Sequence, residues 1–178
     1  MPRWWAKGER AAASKRVDDR VDEIEKAPHG NISLETLLAT DYLNHFVEII
    51  MLIELLPEMP EMIEECRNWQ PLTYKEHFER SHIADRDLAL EAYALVPERY
   101  RKPMEAISGE LHVLIQDRLD RLFDAAERDD LHAIGRISKE AVRTLNNHLQ
   151  RLNGIIHGGE SALAQKEIDQ LVRTSSDS

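Results

Sequence analysis

Apolar side chains recur every three or four positions along three stretches of the chain, the spacing of amphipathic helices. The first stretch covers 34–56, with Ser33 as its expected N-cap. The second opens at Pro103 and continues to position 123, and the third covers 129–156. Alternation of apolar and polar residues, the signature of a half-buried strand, does not persist anywhere. The pattern therefore predicts three long amphipathic helices.

Shorter helices are predicted between the long ones, where proline and capping residues mark helix starts. Pro60 suits the first position of a short helix that extends to Trp69. Thr73 and Glu76 form the Thr-x-x-Glu pattern of a capping box. Another helix is expected over 85–96. Stacking into an antiparallel bundle would bury every apolar stripe once, so we predict an all-α fold.

The chain length of 178 residues suits one domain with a single core. We expect a helical-bundle domain over 27–173, preceded by a basic, tryptophan-containing arm or peripheral helix over 1–26 and followed by a polar tail over 174–178. Nothing in the pattern requires a second core.

Acidic residues outnumber basic ones, 33 against 23, which gives a formal net charge of −10. Such a chain repels nucleic-acid phosphate and anionic lipid unless basic residues are concentrated locally. General nucleic-acid binding is therefore disfavoured.

One such concentration lies at the N-terminus, where five basic residues face only Glu9 within positions 1–17. Trp4 and Trp5 lie inside it, between Arg3 and Lys7. Indole rings supply a large contact area with one polar group, so these four residues are candidates for binding an acidic protein partner or a membrane surface. The alternative is an untethered terminus, as many chain ends are.

Cysteine content and hydropathy bear on the cellular setting. The one cysteine, Cys66, excludes an intrachain disulfide, and a reducing environment fits this usage. The longest apolar segment, 46–56, is interrupted by Glu48 and Glu54 and is shorter than a membrane-spanning helix requires. We expect a soluble, cytoplasmic protein without a transmembrane segment.

A candidate metal or acid–base site lies on the first long helix. Spacings of four and three place Asp41, His45 and Glu48 on one helix face, and His112 and His148 occur beside the apolar stripes of the other two long helices. Helical bundles assemble metal sites from facing helices. The alternative is a histidine at the edge of the core with a hydrogen-bond partner.

Familiar metal motifs are missing. There is no His-Glu-x-x-His pattern, and the di-iron signature needs two Glu-x-x-His pairs where this chain has only Glu79 with His82. No cofactor is therefore predicted, and a metal site would have to be of a less usual kind.

The end of the third long helix carries another candidate site. The run from Arg151 to Gly158 resembles the Arg-x(4–6)-His motif of the HEPN family of all-helical proteins, with Asn153 one position later than the family's usual polar residue. The resemblance implies a metal-independent ribonuclease or an inactive relative, usually dimeric, with Arg151 and His157 as catalytic residues. Arginine can hold a phosphate while histidine transfers the proton of a 2′-hydroxyl. The alternative is an exposed helix end with a glycine terminator.

No phosphate loop, nucleotide fingerprint or nucleophile elbow is present. We therefore expect an interaction or regulatory module, with a homodimer as one possible state, rather than an enzyme. The HEPN-like ribonuclease and the metal-binding bundle stay open as alternatives.

Overall fold

The computed structural model describes residues 31–159 and the single helical position Asp22. The rest of the predicted arm over 1–26 and the tail over 174–178 lie outside the described residues. Trp4, Trp5, Arg3 and Lys7 therefore stay sequence predictions.

The part of the chain that the structure describes is helical, and the predicted all-α class is confirmed. A 3-10 turn, Pro60–Met62, precedes the second helix, and a single bridge between Ile32 and Ala39 is the nearest approach to sheet pairing in 31–159. The helices are α1 (Tyr42–Leu55), α2 (Ile63–Asn68), α3 (Tyr74–Arg80), α4 (Arg86–Leu95), α5 (Glu98–Glu127) and α6 (Leu131–Ile156).

The helices α5 and α6 form a hairpin. Arg118 contacts Glu140 at 3.4 Å and Arg151 contacts Glu110 at 4.0 Å, so early residues of one helix meet late residues of the other. The turn between them is closed by Asp129, whose φ of 52° is left-handed, and the Asp130 carboxylate caps α6 by accepting the N–H of Ala133 at 2.9 Å. The two longest helices thus run antiparallel.

The third long helix, α1, also packs against α6. The hydroxyl of Thr36, shortly before α1, donates to the carbonyl of Ile156 at the end of α6, while Glu54 at the other end of α1 lies near Ser138. The helix α6 therefore runs opposite to α1 as well as to α5. The core lies between these three helices, and its fully buried side chains include Phe46, Ile49, Ile53, Leu111, Ile115, Leu122, Ala141, Leu145 and Leu152.

The first long helix is shorter than predicted. It begins at Tyr42, and the prediction of a helix from position 34 with Ser33 as N-cap is wrong. Ser33 and Leu38 close a tight turn instead, with Leu37 at a φ of 61°. The turn buries Leu37 and Leu38 while Leu34 stays exposed, so burial against neighbouring helices overrides the local helical spacing.

The helix α5 is longer than predicted. It begins at Glu98 after Pro97, and Pro103 lies inside it rather than at its start. Tyr100 explains the earlier start, because its ring is buried and its hydroxyl donates to the Glu35 carboxylate at 2.8 Å. These contacts hold the first turn in place although Pro103 supplies no backbone N–H.

Candidate functional site

Three histidines from three different helices meet at the side of the core. The ring of His45 on α1 lies 5.9 Å from that of His77 on α3 and 5.7 Å from that of His112 on α5, between centroids. Tyr42 and Phe46 also pack against this histidine cluster. The structure thus brings together His45 and His112, two of the five residues of the predicted metal set, whereas His77 had no signal in the sequence pattern.

His45 forms hydrogen bonds that hold the segment between α2 and α3 against α1. Its Nε2 accepts the backbone N–H of Leu72 at 3.1 Å, and its backbone carbonyl accepts the indole N–H of Trp69 at 3.2 Å. The imidazole stacks on the Trp69 ring, with 5.0 Å between centroids. Tyr42 donates from its hydroxyl to the Leu72 carbonyl at 3.0 Å. Both backbone groups of Leu72 are thus held by α1.

Burial favours the uncharged form of the three clustered histidines. Burial lowers the pKa of His45 to about 4, and the nearby His112 and His77 act in the same direction. Burial also lowers the pKa of His77, against the opposing carboxylates of Asp41 and Glu48, and it lowers the pKa of His112. The Nε2 atoms of His77 and His112 are buried without a hydrogen-bond partner. Protonation would therefore place positive charge in a poorly solvated space.

The predicted metal set of Asp41, His45, Glu48, His112 and His148 is not assembled. Within residues 31–159 no three His, Cys, Asp or Glu side chains are arranged to hold a metal ion. The Asp41 carboxylate accepts the side-chain amide of Asn31, and the His148 ring contacts the carbonyl of Thr144 on its own helix. The Nε2 lone pair of His45 is already engaged by Leu72. His45 is thus a hydrogen-bonded histidine at the edge of the core, the alternative considered for it, and its place in a metal site stays a prediction.

A groove with a volume of about 710 Å³ lies between α1, α2 and the segment 68–72, and His45 and Trp69 form part of its wall. We call it the α1–α2 groove. Its apolar lining consists of Met51, Leu52, Leu55, Met62, Trp69 and Leu72. Its polar lining includes Glu48, Glu65, Asn68, Gln70 and Arg80.

Apolar side chains stay exposed in and beside this groove. Met51 is 56% exposed and Leu55 39% exposed, and Met59 in the following turn is 41% exposed. Exposed apolar residues gathered in one place are typical of interaction sites, whereas isolated ones are normal on any protein. The α1–α2 groove is therefore the strongest candidate for a recognition surface in the described residues.

The same part of the chain is strongly acidic. Positions 42–66 contain no lysine or arginine, and their acidic residues are Glu48, Glu54, Glu58, Glu61, Glu64 and Glu65. All six are exposed. Glu64 pairs with Arg67 at 3.4 Å, and Arg80 is the basic residue in the groove lining. Glu48 and Glu65 thus stand beside an apolar floor, and the other four glutamates add negative charge to the same part of the chain, an arrangement that favours a basic, amphipathic ligand.

The HEPN-like residues lie at the other end of α6. Arg151 is half-buried beside Glu110, whereas Asn153 and His157 are exposed. Six helical positions turn a side chain by about 240°, so Arg151 and His157 leave α6 on different faces of this chain. Their catalytic role stays a hypothesis.

The glycine after His157 has a structural reason. Gly158 has a φ of 74° and donates its N–H to the carbonyl of Ile155 at 3.1 Å, while Gly159 donates to the carbonyl of Gly154 at 2.8 Å. These two bonds form the Schellman motif that ends many helices. The glycines therefore have a role as the terminator of α6, independent of any chemistry.

Comparison with known proteins adds no relative. No family model matches the chain, and neither a curated protein nor a solved structure is significantly similar to it. In the described part of the chain no helix is long and apolar enough to cross a membrane. The α1–α2 groove and its surroundings are therefore the basis on which a function can be inferred.

Proposed function

We propose that this protein is an interaction module that binds a basic amphipathic helix of a partner protein in the α1–α2 groove. The observation that carries the proposal is the exposure of Met51 and Leu55 in the groove, and of Met59 in the turn that follows, within a stretch that contains six glutamates and no basic residue.

The apolar floor suits a helical ligand. From His45 to Leu55 the groove follows α1 for about 15 Å, close to three helical turns. A partner helix can therefore place apolar residues at positions i, i+3 or i+4, and i+7 along it. Methionine side chains adapt to different apolar shapes, so Met51 and Met62 can accommodate more than one sequence.

The glutamates in and near the groove favour a partner helix that carries positive charge. Glu48 and Glu65 line the groove, and the neighbouring glutamates extend the negative field along α1 and α2. Lysine and arginine flanking the partner's apolar face would meet these carboxylates, which raises the association rate and makes it dependent on salt. An acidic helix of equal hydrophobicity would be repelled.

Trp69 and Leu72 form a rigid wall on one side of the groove. Trp69 is held by its hydrogen bond to His45 and by ring stacking, and Leu72 is held through both backbone groups. A preorganised aromatic wall binds with less ordering of side chains than a mobile one. We expect Trp69 to contribute strongly to binding.

The proposal is tested by titrating the full chain with a fluorescent basic amphipathic peptide of about four helical turns. We expect Met51→Glu, which places a carboxylate in the apolar floor, to weaken binding by at least about tenfold, a loss of about 1.4 kcal/mol. Val113→Glu is the matched control, since Val113 is an exposed apolar residue of α5 outside the groove lining. A peptide of the same apolar pattern with glutamate in place of lysine checks the charge requirement. Equal binding by both protein variants would refute the proposal.

A further inference from the structure

We infer that the chain's own basic N-terminal segment, residues 1–17, occupies the α1–α2 groove when no partner is bound. The inference rests on the proposed function of the groove and names an internal competitor for it. Residues 1–17 lie outside the described part of the structure, and their sequence complements the groove in charge, apolar content and length of connection.

Charge is the first reason. The groove region, 42–66, carries six glutamates without a lysine or arginine, whereas residues 1–17 carry five basic residues against Glu9 alone. In a chain with an overall charge of −10, a segment of this sign is attracted to the groove region. Electrostatic complementarity of this kind also aligns the two surfaces before contact.

Apolar content is the second reason. Trp4 and Trp5 stand among the basic residues, and the groove offers Met51, Leu55 and the neighbouring Met59. Methionine sulfur packs favourably against aromatic rings, and two indoles would cover a large share of this exposed apolar surface. The segment thus has the composition that we propose for a partner helix.

Reach is the third reason. The chain joins the described fold at Asn31, whose side-chain amide donates to the Asp41 carboxylate at 3.0 Å, next to the start of α1. About 25 residues separate Trp5 from Asn31, and even as a helix they would span about 39 Å. The distance from His45 to Leu55 along α1 is about 15 Å. The connection is therefore long enough to place both tryptophans anywhere in the groove.

Tethering makes this occupancy effective. A segment linked to its own binding site acts at an effective concentration in the millimolar range, so weak docking suffices to fill the groove. A partner helix must then displace the segment, and its apparent affinity falls by the fraction of chains in which the groove is free. The N-terminal segment would thus set the threshold at which a partner binds.

The inference is tested in the full chain labelled with 5-fluorotryptophan. Its three tryptophans give three fluorine signals, and single Trp→Phe variants assign them. We expect the Trp4 and Trp5 signals to be protected from a soluble paramagnetic agent, and Met51→Glu to remove that protection. Val113→Glu is expected to leave it intact. Full exposure of both tryptophans in the unmodified chain, or equal protection in both variants, would overturn the inference.

Two further measurements distinguish failure of the intrachain inference from failure of the proposed function. The protection must be independent of protein concentration, because dependence would mean that a second copy supplies the segment and would overturn the intrachain inference. Reversing charges with Arg3→Glu and Lys7→Glu should raise the affinity for the external basic peptide by about tenfold. If that affinity is unchanged, the inference fails while the proposed function stands. If no variant binds the peptide, the proposed function itself fails.

Discussion

The α5–α6 hairpin and the face built by residues 31–80 differ in how they use their side chains. The hairpin consists of two long helices, of which α6 is capped by Asp130, and its ion pairs and buried residues serve packing. The 31–80 face consists of one medium helix, two short ones and two irregular connections. It contains the α1–α2 groove, most of the histidine cluster and the exposed methionines. A stable hairpin thus supports a second region in which apolar and titratable groups are left available for recognition.

The largest effect is expected where the two regions share one core. Phe46 on α1 is fully buried and contacts His112 on α5, with 5.2 Å between ring centroids. Phe46→Ala leaves a cavity between the regions and is expected to lower the free energy of unfolding by about 3–5 kcal/mol. Urea denaturation followed by circular dichroism measures this loss. A loss below about 1 kcal/mol would mean that the two regions are not one cooperative unit.

The second prediction concerns acid, which should weaken the 31–80 face first. The pKa of His45 is lowered to about 4 in the folded chain, below the 6.5 of an unperturbed histidine. The unfolded state therefore binds more protons than the folded state between these two pKa values. The stability that depends on an uncharged His45 is thus fully present above pH 6.5 and is lost as pH falls toward 4. We expect a loss of about 2 kcal/mol from about pH 7 to about pH 5 from this group alone.

His45→Gln removes the titrating group, so its stability should fall less over the same pH interval, as measured by urea unfolding at both ends. His148→Gln is the control, because His148 lies outside the histidine cluster and its ring contacts the Thr144 carbonyl on its own helix. An identical pH dependence in His45→Gln and the unmodified chain would contradict the burial of an uncharged His45.

The third prediction addresses the contact between the two regions at the end of α6. Gly158 has a φ of 74°, and a Cβ atom there would overlap the carboxyl group of Glu35. Gly158→Ala is therefore expected to destabilise the fold by about 1–2 kcal/mol. Gly109→Ala is the matched control, since a Cβ atom added at Gly109 would meet nothing within 4 Å and alanine favours helix. Thermal unfolding of the two variants should shift in opposite directions.

Much of the hairpin could be predicted from the sequence. The apolar stripes of α5 and α6 and the glycine terminator are local patterns that appear where the spacing placed them, and α6 begins within two residues of the predicted start at Asp129. The capping box of Thr73 and Glu76 is also confirmed, with both reciprocal hydrogen bonds present. Local rules suffice in these places because neighbouring residues along the helix supply the decisive contacts.

The 31–80 face was predicted less well because its contacts join residues far apart in sequence. The turn at 33–38 is held by Ile156, more than a hundred positions away, and no periodicity reveals that bond. His77 joins His45 and His112 only through the packing of α3. The α1–α2 groove likewise depends on how the segment 68–72 folds back on α1. Spacing left a position at the edge of the core as one alternative for His45, but it did not indicate which residues surround the imidazole.

The smallest effects are expected at the HEPN-like residues. Arg151→Ala removes a solvent-accessible ion pair with Glu110 and should change stability by about 1 kcal/mol or less. His157→Ala alters an exposed residue and should change the stability still less. Incubation of both variants and the unmodified chain with RNA, in a chelator, tests the ribonuclease hypothesis. Cleavage by the unmodified chain that disappears in both variants would contradict a purely interacting role.

The most direct test of the central claim is the binding of a basic amphipathic peptide to the full chain and its two glutamate variants. We predict that Met51→Glu weakens binding by at least about tenfold while Val113→Glu binds as the unmodified chain does. The affinity should also fall as salt is raised. Equal affinity for all three proteins, or equal affinity for the acidic version of the peptide, would show that the α1–α2 groove is not the recognition site.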